Sequence, residues 1–303
     1  MRRFDSPSLM ASKDKKPTED GGSNAVKLGP PFFLAFALGT SGCYLSFFGP
    51  NAARIQKSVF TPDGQSDGES VDNFTFVCAC VGLCGLFDVL IARLFGPGRY
   101  FALHTAINTA CVCFAWRDFV STLTFANPFE SNSCALKGTS CANKFAMDLT
   151  MGIHLWHSLA YSLKPIDWVH HIPAHAVCLI GICLAWGPVL NFSIMALMGV
   201  PGGIDYGLLT ATKLGMLHPS VEKNINQSLN VWLRCPIAVV SAFLMFFGAI
   251  VNPDHFTGTG HRVGHALIGV HHFWNGLFFM YRTVDARTRY IIKEKEKKEK
   301  ASK

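Results

Sequence analysis

Hydrophobic residues in this chain come in long continuous runs rather than in alternation, with short polar stretches between them. Eight runs, 31–49, 74–95, 100–125, 144–163, 168–187, 188–205, 236–251 and 262–282, approach the roughly 20 apolar residues a helix needs to cross a hydrocarbon core about 30 Å thick. Continuity favours helices over barrel strands, whose side chains would alternate between lipid and lumen. The two short runs, 188–205 and 236–251, adjoin segments able to extend them, Ile204–Leu217 and Leu229–Arg234. The pattern predicts an all-α fold, a polytopic transmembrane helical bundle of about eight spans, with six as the lower bound. Residues 1–28 then form a disordered cytosolic tail, 29–284 the helical body and 285–303 a charged cytosolic tail.

Composition narrows this further. Half of the residues are hydrophobic and only 16% are charged, against about 25% charged in soluble chains, and the mean hydropathy is +0.26. The net charge of +7 does not mark a nucleic-acid binder, because the basic residues crowd the two ends instead of one folded face. Their placement reports topology. With the N-terminus inside, the outer segments hold only Arg54, Lys57, Arg117, Lys137, Lys144 and Arg262 of the 27 Lys and Arg, and the rest fall on the cytoplasmic side. Both termini are therefore expected in the cytosol. The outward loop Asn127–Asn143 carries Cys134 and Cys141, where an oxidising compartment permits a disulfide. The remaining cysteines read as small core residues.

Ionisable groups inside a membrane span are costly and mark function or a buried partner. Thr150, His154, His157 and Tyr161 recur at helical offsets and form one polar stripe. His171 and His175 share a face, and so do His265, His272 and Asn275. Asp88, His104, Asn108, His157, His170, His171, His175 and Asp205 all fall in the cytoplasmic half, which describes a polar cavity opening toward the cytosol; His272 lies near mid-depth. His154 and His265 read as hydrogen-bonded core residues. Gly202 and Gly203 after Pro201 are expected to break the sixth span, and 220–234, with Val221, Ile225, Leu229 and Trp232 on one side, is expected to lie as an interfacial helix on the cytoplasmic leaflet.

The stretch LWHSLAYSLKPIDWVHHI at 155–172, followed by an apolar helix and then ALMGVPGGIDYGLLTATKLG at 196–215, resembles the TLC-domain membrane proteins over about 74–284. The resemblance implies a TLC-like helical bundle that handles membrane lipids, expected in the endoplasmic reticulum. From the ceramide synthases of that superfamily it implies acyl transfer from acyl-CoA to a lipid amine or hydroxyl, with His170 and His171 matching the family's His pair and Asp205 standing for its downstream acids. Ala174 occupies a position where those enzymes carry Thr. In this scheme His171 is the general base, Asp205 its orienting carboxylate, and Lys213, Lys223 and Arg234 face coenzyme A phosphates. The cavity wall is expected to include Asp88, His104, Asn108, His157, Tyr161, His175 and His272. No cofactor or metal ligand is assigned from the sequence, and acyl-CoA enters only as a co-substrate. Two other readings stand beside it: a non-catalytic lipid-binding, sensing or structural subunit, and a His-rich di-iron hydroxylase, which needs about eight histidines at one membrane face. Membrane-protein partners or a homo-oligomer are left open.

Overall fold

The computed structural model describes residues 26, 29–60, 70–125, 127–134, 141–256 and 258–303. The tail 1–28, apart from Val26, and Lys137 lie outside the described residues. Nine helices account for almost everything described: α1 (Pro30–Phe48), α2 (Ala52–Phe60), α3 (Ser70–Leu90), α4 (Arg99–Thr124), α5 (Phe145–Ala160), α6 (Pro165–Ile182), α7 (Val189–Lys213), α8 (Pro219–Val251) and α9 (Thr259–Ala301). Among the described residues there is no strand, only an isolated bridge between Val26 and Tyr161. Four helices are long and apolar enough to cross a membrane: α1, α3 from Asp72 onward, α7 and α8. The other predicted spans are helical as well, but α4, α5, α6 and α9 fall short of that standard, since α5 has only 16 residues and these four carry nearly all the histidines.

The eight long helices alternate in direction. At one end Asp88 near the end of α3 meets Arg99 at the start of α4 and Tyr161 just after α5, and Val26 before α1 pairs with Tyr161. At the other end Asn191 at the start of α7 donates to Asp118 near the end of α4, and His261 at the start of α9 bonds Ala185 O just after α6. Far along α9, Arg287 returns to the first end and donates to Asn224 and Gln227 in the first turns of α8. Large apolar side chains cover the outside, among them Phe36, Phe243 and Leu267, an arrangement that suits lipid rather than water. Helices α1 and α3 approach backbone to backbone: a Cβ on Gly39 would lie 2.5 Å from Gly82 Cα. Such small-residue contacts let helices pack where no hydrophobic drive separates them from lipid.

Pro201 and Pro236 sit within helices through one device, and the same kind of turn ends α1 ahead of Pro50. A π turn at Tyr44–Phe48 precedes Pro50, one at Met195–Gly199 precedes Pro201, and one at Asn230–Arg234 precedes Pro236. In each, the residue before the proline donates its N–H to the carbonyl five residues back. Proline lacks an N–H and its ring collides with the carbonyl four residues back, and the wider turn accommodates that ring. Helix α7 accordingly continues through Pro201-Gly202-Gly203 to Lys213, so the expected break there does not occur. Likewise 219–234 is not a separate interfacial helix but the first half of α8, with Glu222, Asn230 and Arg234 buried against the bundle. The charged C-terminal segment continues α9 without interruption to Ala301.

Candidate functional site

Helices α4 to α9 enclose a cavity of about 240 Å³, with α1 to α3 packed outside. Each wall follows from helical spacing. Tyr100, His104 and Asn108 come from every fourth residue of α4, Thr150, His154 and His157 from one stripe of α5, and His271, His272 and Asn275 from α9. The far wall is apolar, built from Val177, Leu190, Leu197, Met198 and Ile268. Trp186 closes the floor; its indole donates to Gly181 O at 2.9 Å and stacks on His265 with ring centroids 3.8 Å apart. Toward the first end of the bundle the lining runs to Ile166 and Asp167 of α6 and to Phe278 and the exposed Arg282 of α9.

The polar centre is a pair of imidazoles. His157 Nε2 and His171 Nε2 are hydrogen-bonded to each other. His171 Nδ1 lies 2.7 Å from Asp167 O, one turn back on α6. A carbonyl only accepts, so His171 carries its proton on Nδ1 and presents a lone pair at Nε2. His157 must then donate from Nε2, which leaves its Nδ1 as a lone pair, and that atom has no partner. The pair thus forms an oriented relay from the Asp167 carbonyl through His171 to a basic nitrogen on His157. His154 is fixed in the same way through Thr150 O at 2.7 Å. Around them, His104 stacks on Tyr206 at 4.5 Å and sits 4.6 Å from Tyr100, ring to ring.

This arrangement brings together His104, Asn108, His157, His170, His171, Asp205 and His272, seven of the residues named from sequence. It leaves out three. Asp88 is fully buried elsewhere and accepts from Arg99 Nε (2.7 Å), Tyr161 OH (2.8 Å) and Trp156 Nε1 (3.1 Å), a closed network that anchors α3, α4 and α5. Tyr161 leaves the α5 stripe because the helix stops at Ala160, ahead of Pro165, and the chain extends there. His175 sits one turn past His171 on α6 and is not part of the wall. The roles change too. Asp205 does not orient His171: its neighbours are Arg234, Glu222, Lys223 and Asn226. Lys223 is paired with Glu222 at 2.9 Å, and Arg234 is buried in the cavity wall, so neither is free for a coenzyme phosphate.

Sequence reasoning left Tyr100, Tyr206, His271 and Arg282 out of the site, read His154 as a core residue and set Arg234 against coenzyme phosphates instead of in the cavity wall. His154 was legible as the stripe-mate of His157, and Tyr100 lies four residues before His104. Arg234 was hidden by the assumption that α8 began after it. Many of the buried polar atoms without a protein partner belong to residues that line this cavity: His104 Nε2, both amide atoms of Asn108, His157 Nδ1, Asp205 Oδ1 and Arg234 Nε. Buried polar groups are normally satisfied, so this concentration calls for a polar ligand or ordered water.

At the other end of the bundle Cys134 and Cys141 form a disulfide, with Cα atoms 4.3 Å apart. His261 and His265 lie at that end, hydrogen-bonded to Ala185 O and to each other. Among the described residues no three His, Cys, Asp or Glu side chains are grouped to hold a metal ion. No protein-family model, curated protein or solved structure matches this chain.

Proposed function

We propose that this is an eight-span integral membrane protein of TLC type, placed in the endoplasmic reticulum with both termini cytosolic, that transfers an acyl group from acyl-CoA to a lipid hydroxyl or amine. The observation that carries this reading is the oriented His157–His171 pair standing in a cavity whose remaining lining is largely apolar. Such a cavity accepts an acyl chain along Val177, Leu190, Leu197 and Ile268 and brings its polar end to the imidazoles. As the acceptor oxygen or nitrogen attacks the thioester carbonyl, its proton passes to His157 Nδ1. The carbon–sulfur bond then breaks, and the departing thiolate takes that proton to give the free thiol. His171, held by the Asp167 carbonyl, supports the positive charge on His157 by sharing the Nε2 proton. Relative to the scheme drawn from sequence, His157 becomes the base, His171 its orienting partner, and Asp205 serves the ligand.

The test is acyl transfer by the purified protein in lipid nanodiscs supplied with radiolabelled acyl-CoA and a lipid extract. Labelled lipid that forms with wild type and is lost with His157→Ala and His171→Ala supports the assignment; labelling that survives both variants overturns it. A non-catalytic lipid-binding role is the second reading, favoured because among the described residues no carboxylate hydrogen-bonds to the imidazole pair. It predicts bound lipid in the cavity and no transfer. The di-iron reading gains no support from the separation of His261 and His265 from the cavity, and two irons per chain in purified protein would restore it.

A further inference from the structure

The recess beside the histidines has a chemistry of its own, set by the two π turns. They bring Gly202, just past the turn in α7, against Asn108 of α4 and Arg234, the last residue of the turn in α8. A Cβ on Gly202 would sit 2.6 Å from Asn108 Nδ2 and 3.6 Å from Arg234 Nη2. Asp205 follows Gly202 by three residues on the same face of α7 and lies within charge interaction of Arg234. Arg234 is braced: Nη1 donates to Asn230 Oδ1 at 2.8 Å and the guanidinium lies 4.7 Å above the Phe279 ring. Its Nε has no partner, and neither has Asp205 Oδ1 nor either amide atom of Asn108. All three side chains line the cavity.

The free groups therefore alternate. Arg234 Nε and Asn108 Nδ2 donate; Asp205 Oδ1 and Asn108 Oδ1 accept. The two charges oppose each other, and the neighbouring Glu222 and Lys223 cancel as a salt bridge, so the recess offers no net charge to a ligand. An anionic head would meet Asp205, a cationic head would meet Arg234, and in a water-poor wall either encounter is expensive. Hydroxyl groups fit both sides, since each one donates and accepts. We propose that this recess binds the uncharged, polyhydroxylated head of a single-chain lipid, at least a vicinal diol. The proposal rests on the lipid reading of the cavity and names the acceptor class for it: with the diol against Asp205 and Arg234 and the chain against the apolar wall, a head-group hydroxyl lies in the same cavity as His157 Nδ1.

The test uses the full chain in detergent micelles and follows intrinsic tryptophan fluorescence, with Trp186 at the cavity floor as reporter. Four probes share one chain length: a monoacylglycerol, the fatty acid, the fatty amine and the fatty acid methyl ester. Wild type should bind the monoacylglycerol about ten-fold or more tighter than the other three. Arg234→Gln should shift preference toward the amine and Asp205→Asn toward the acid, each by about ten-fold. Arg234→Lys and Asp205→Glu keep the charges and should keep the wild-type ranking, which separates a ligand effect from misfolding. Equal binding of all four probes, or a ranking unmoved by Arg234→Gln and Asp205→Asn, overturns the diol assignment while leaving the lipid reading intact. Failure of every probe to bind overturns both.

Discussion

Removing the Asp88 carboxylate is the perturbation whose size the structure fixes best. Asp88 is fully buried and accepts three hydrogen bonds, from Arg99, Tyr161 and Trp156, so it joins α3 to the start of α4 and to both ends of the last turn of α5. Asp88→Ala strands the Arg99 charge and two donors at once. Breaking a buried pair by deleting one partner costs about 3–5 kcal/mol. At roughly 2–4 °C per kcal/mol for a chain of this order of size, the midpoint of thermal unfolding should drop by about 10 °C. Tyr161→Phe removes a single bond to a charged acceptor and should cost about 1.5–3 kcal/mol. Arg99 is 22% exposed at its side chain, so water partly rehydrates what its loss leaves behind, and Arg99→Ala should cost less than Asp88→Ala. The double variant should fall short of the sum of the two singles by about 1–3 kcal/mol. The assay is a melting curve of detergent-purified protein followed by tryptophan fluorescence, with chemical denaturation to supply the free energies. Strict additivity of Asp88→Ala and Arg99→Ala, or an Asp88→Ala midpoint within about 2 °C of wild type, would refute the network as described.

Three further outcomes are expected. His157→Ala should lower acyl transfer by about 10²–10⁴-fold, the usual contribution of a general base, while leaving monoacylglycerol binding within about two-fold of wild type; loss of binding and transfer together would remove His157 from the chemistry. Gly202→Ala places a methyl 2.6 Å from Asn108 Nδ2, so it should destabilise the protein by about 1–3 kcal/mol and reduce diol binding more than binding of the methyl ester, as read from melting curves and fluorescence titration. In sealed microsomes Cys141 of the Cys134→Ser variant should stay unlabelled by an impermeant maleimide and should react once detergent opens the lumen, whereas the wild-type pair should need a reductant as well; labelling of Cys141 in intact microsomes would invert the proposed topology.

The helical class of the protein was legible because a membrane-length helix writes itself into consecutive residues. Runs such as 74–95 and 236–251 need no partner to be recognised, and the bias of Lys and Arg toward the inner segments gives an orientation that depends only on loop order. Periodicity also carried part of the site. The four-residue spacing of His104 and Asn108, and the three-residue spacing of His154 and His157 within the α5 stripe, put each set on one face whatever that face meets. Helix continuity was misread where proline and glycine intervene, because their local preference is to stop a helix. Pro201 and Pro236 instead follow π turns, which exist only because α7 and α8 are held by the bundle on both sides of the turn.

What the sequence alone determined is therefore which segments are helical, which faces are polar and that polar groups gather toward one end. Which polar groups meet was decided by tertiary structure. Sequence spacing is silent on contacts between helices, and Asp88 and Asp205 look alike as lone acids in apolar surroundings. Packing gives Asp88 to Arg99, Tyr161 and Trp156, sets Asp205 beside Arg234, and hands His171 to His157 instead of to a carboxylate. The reason is geometric: a contact between two helices depends on their relative rotation and depth, which in α7 and α8 include the one-residue widening ahead of Pro201 and Pro236.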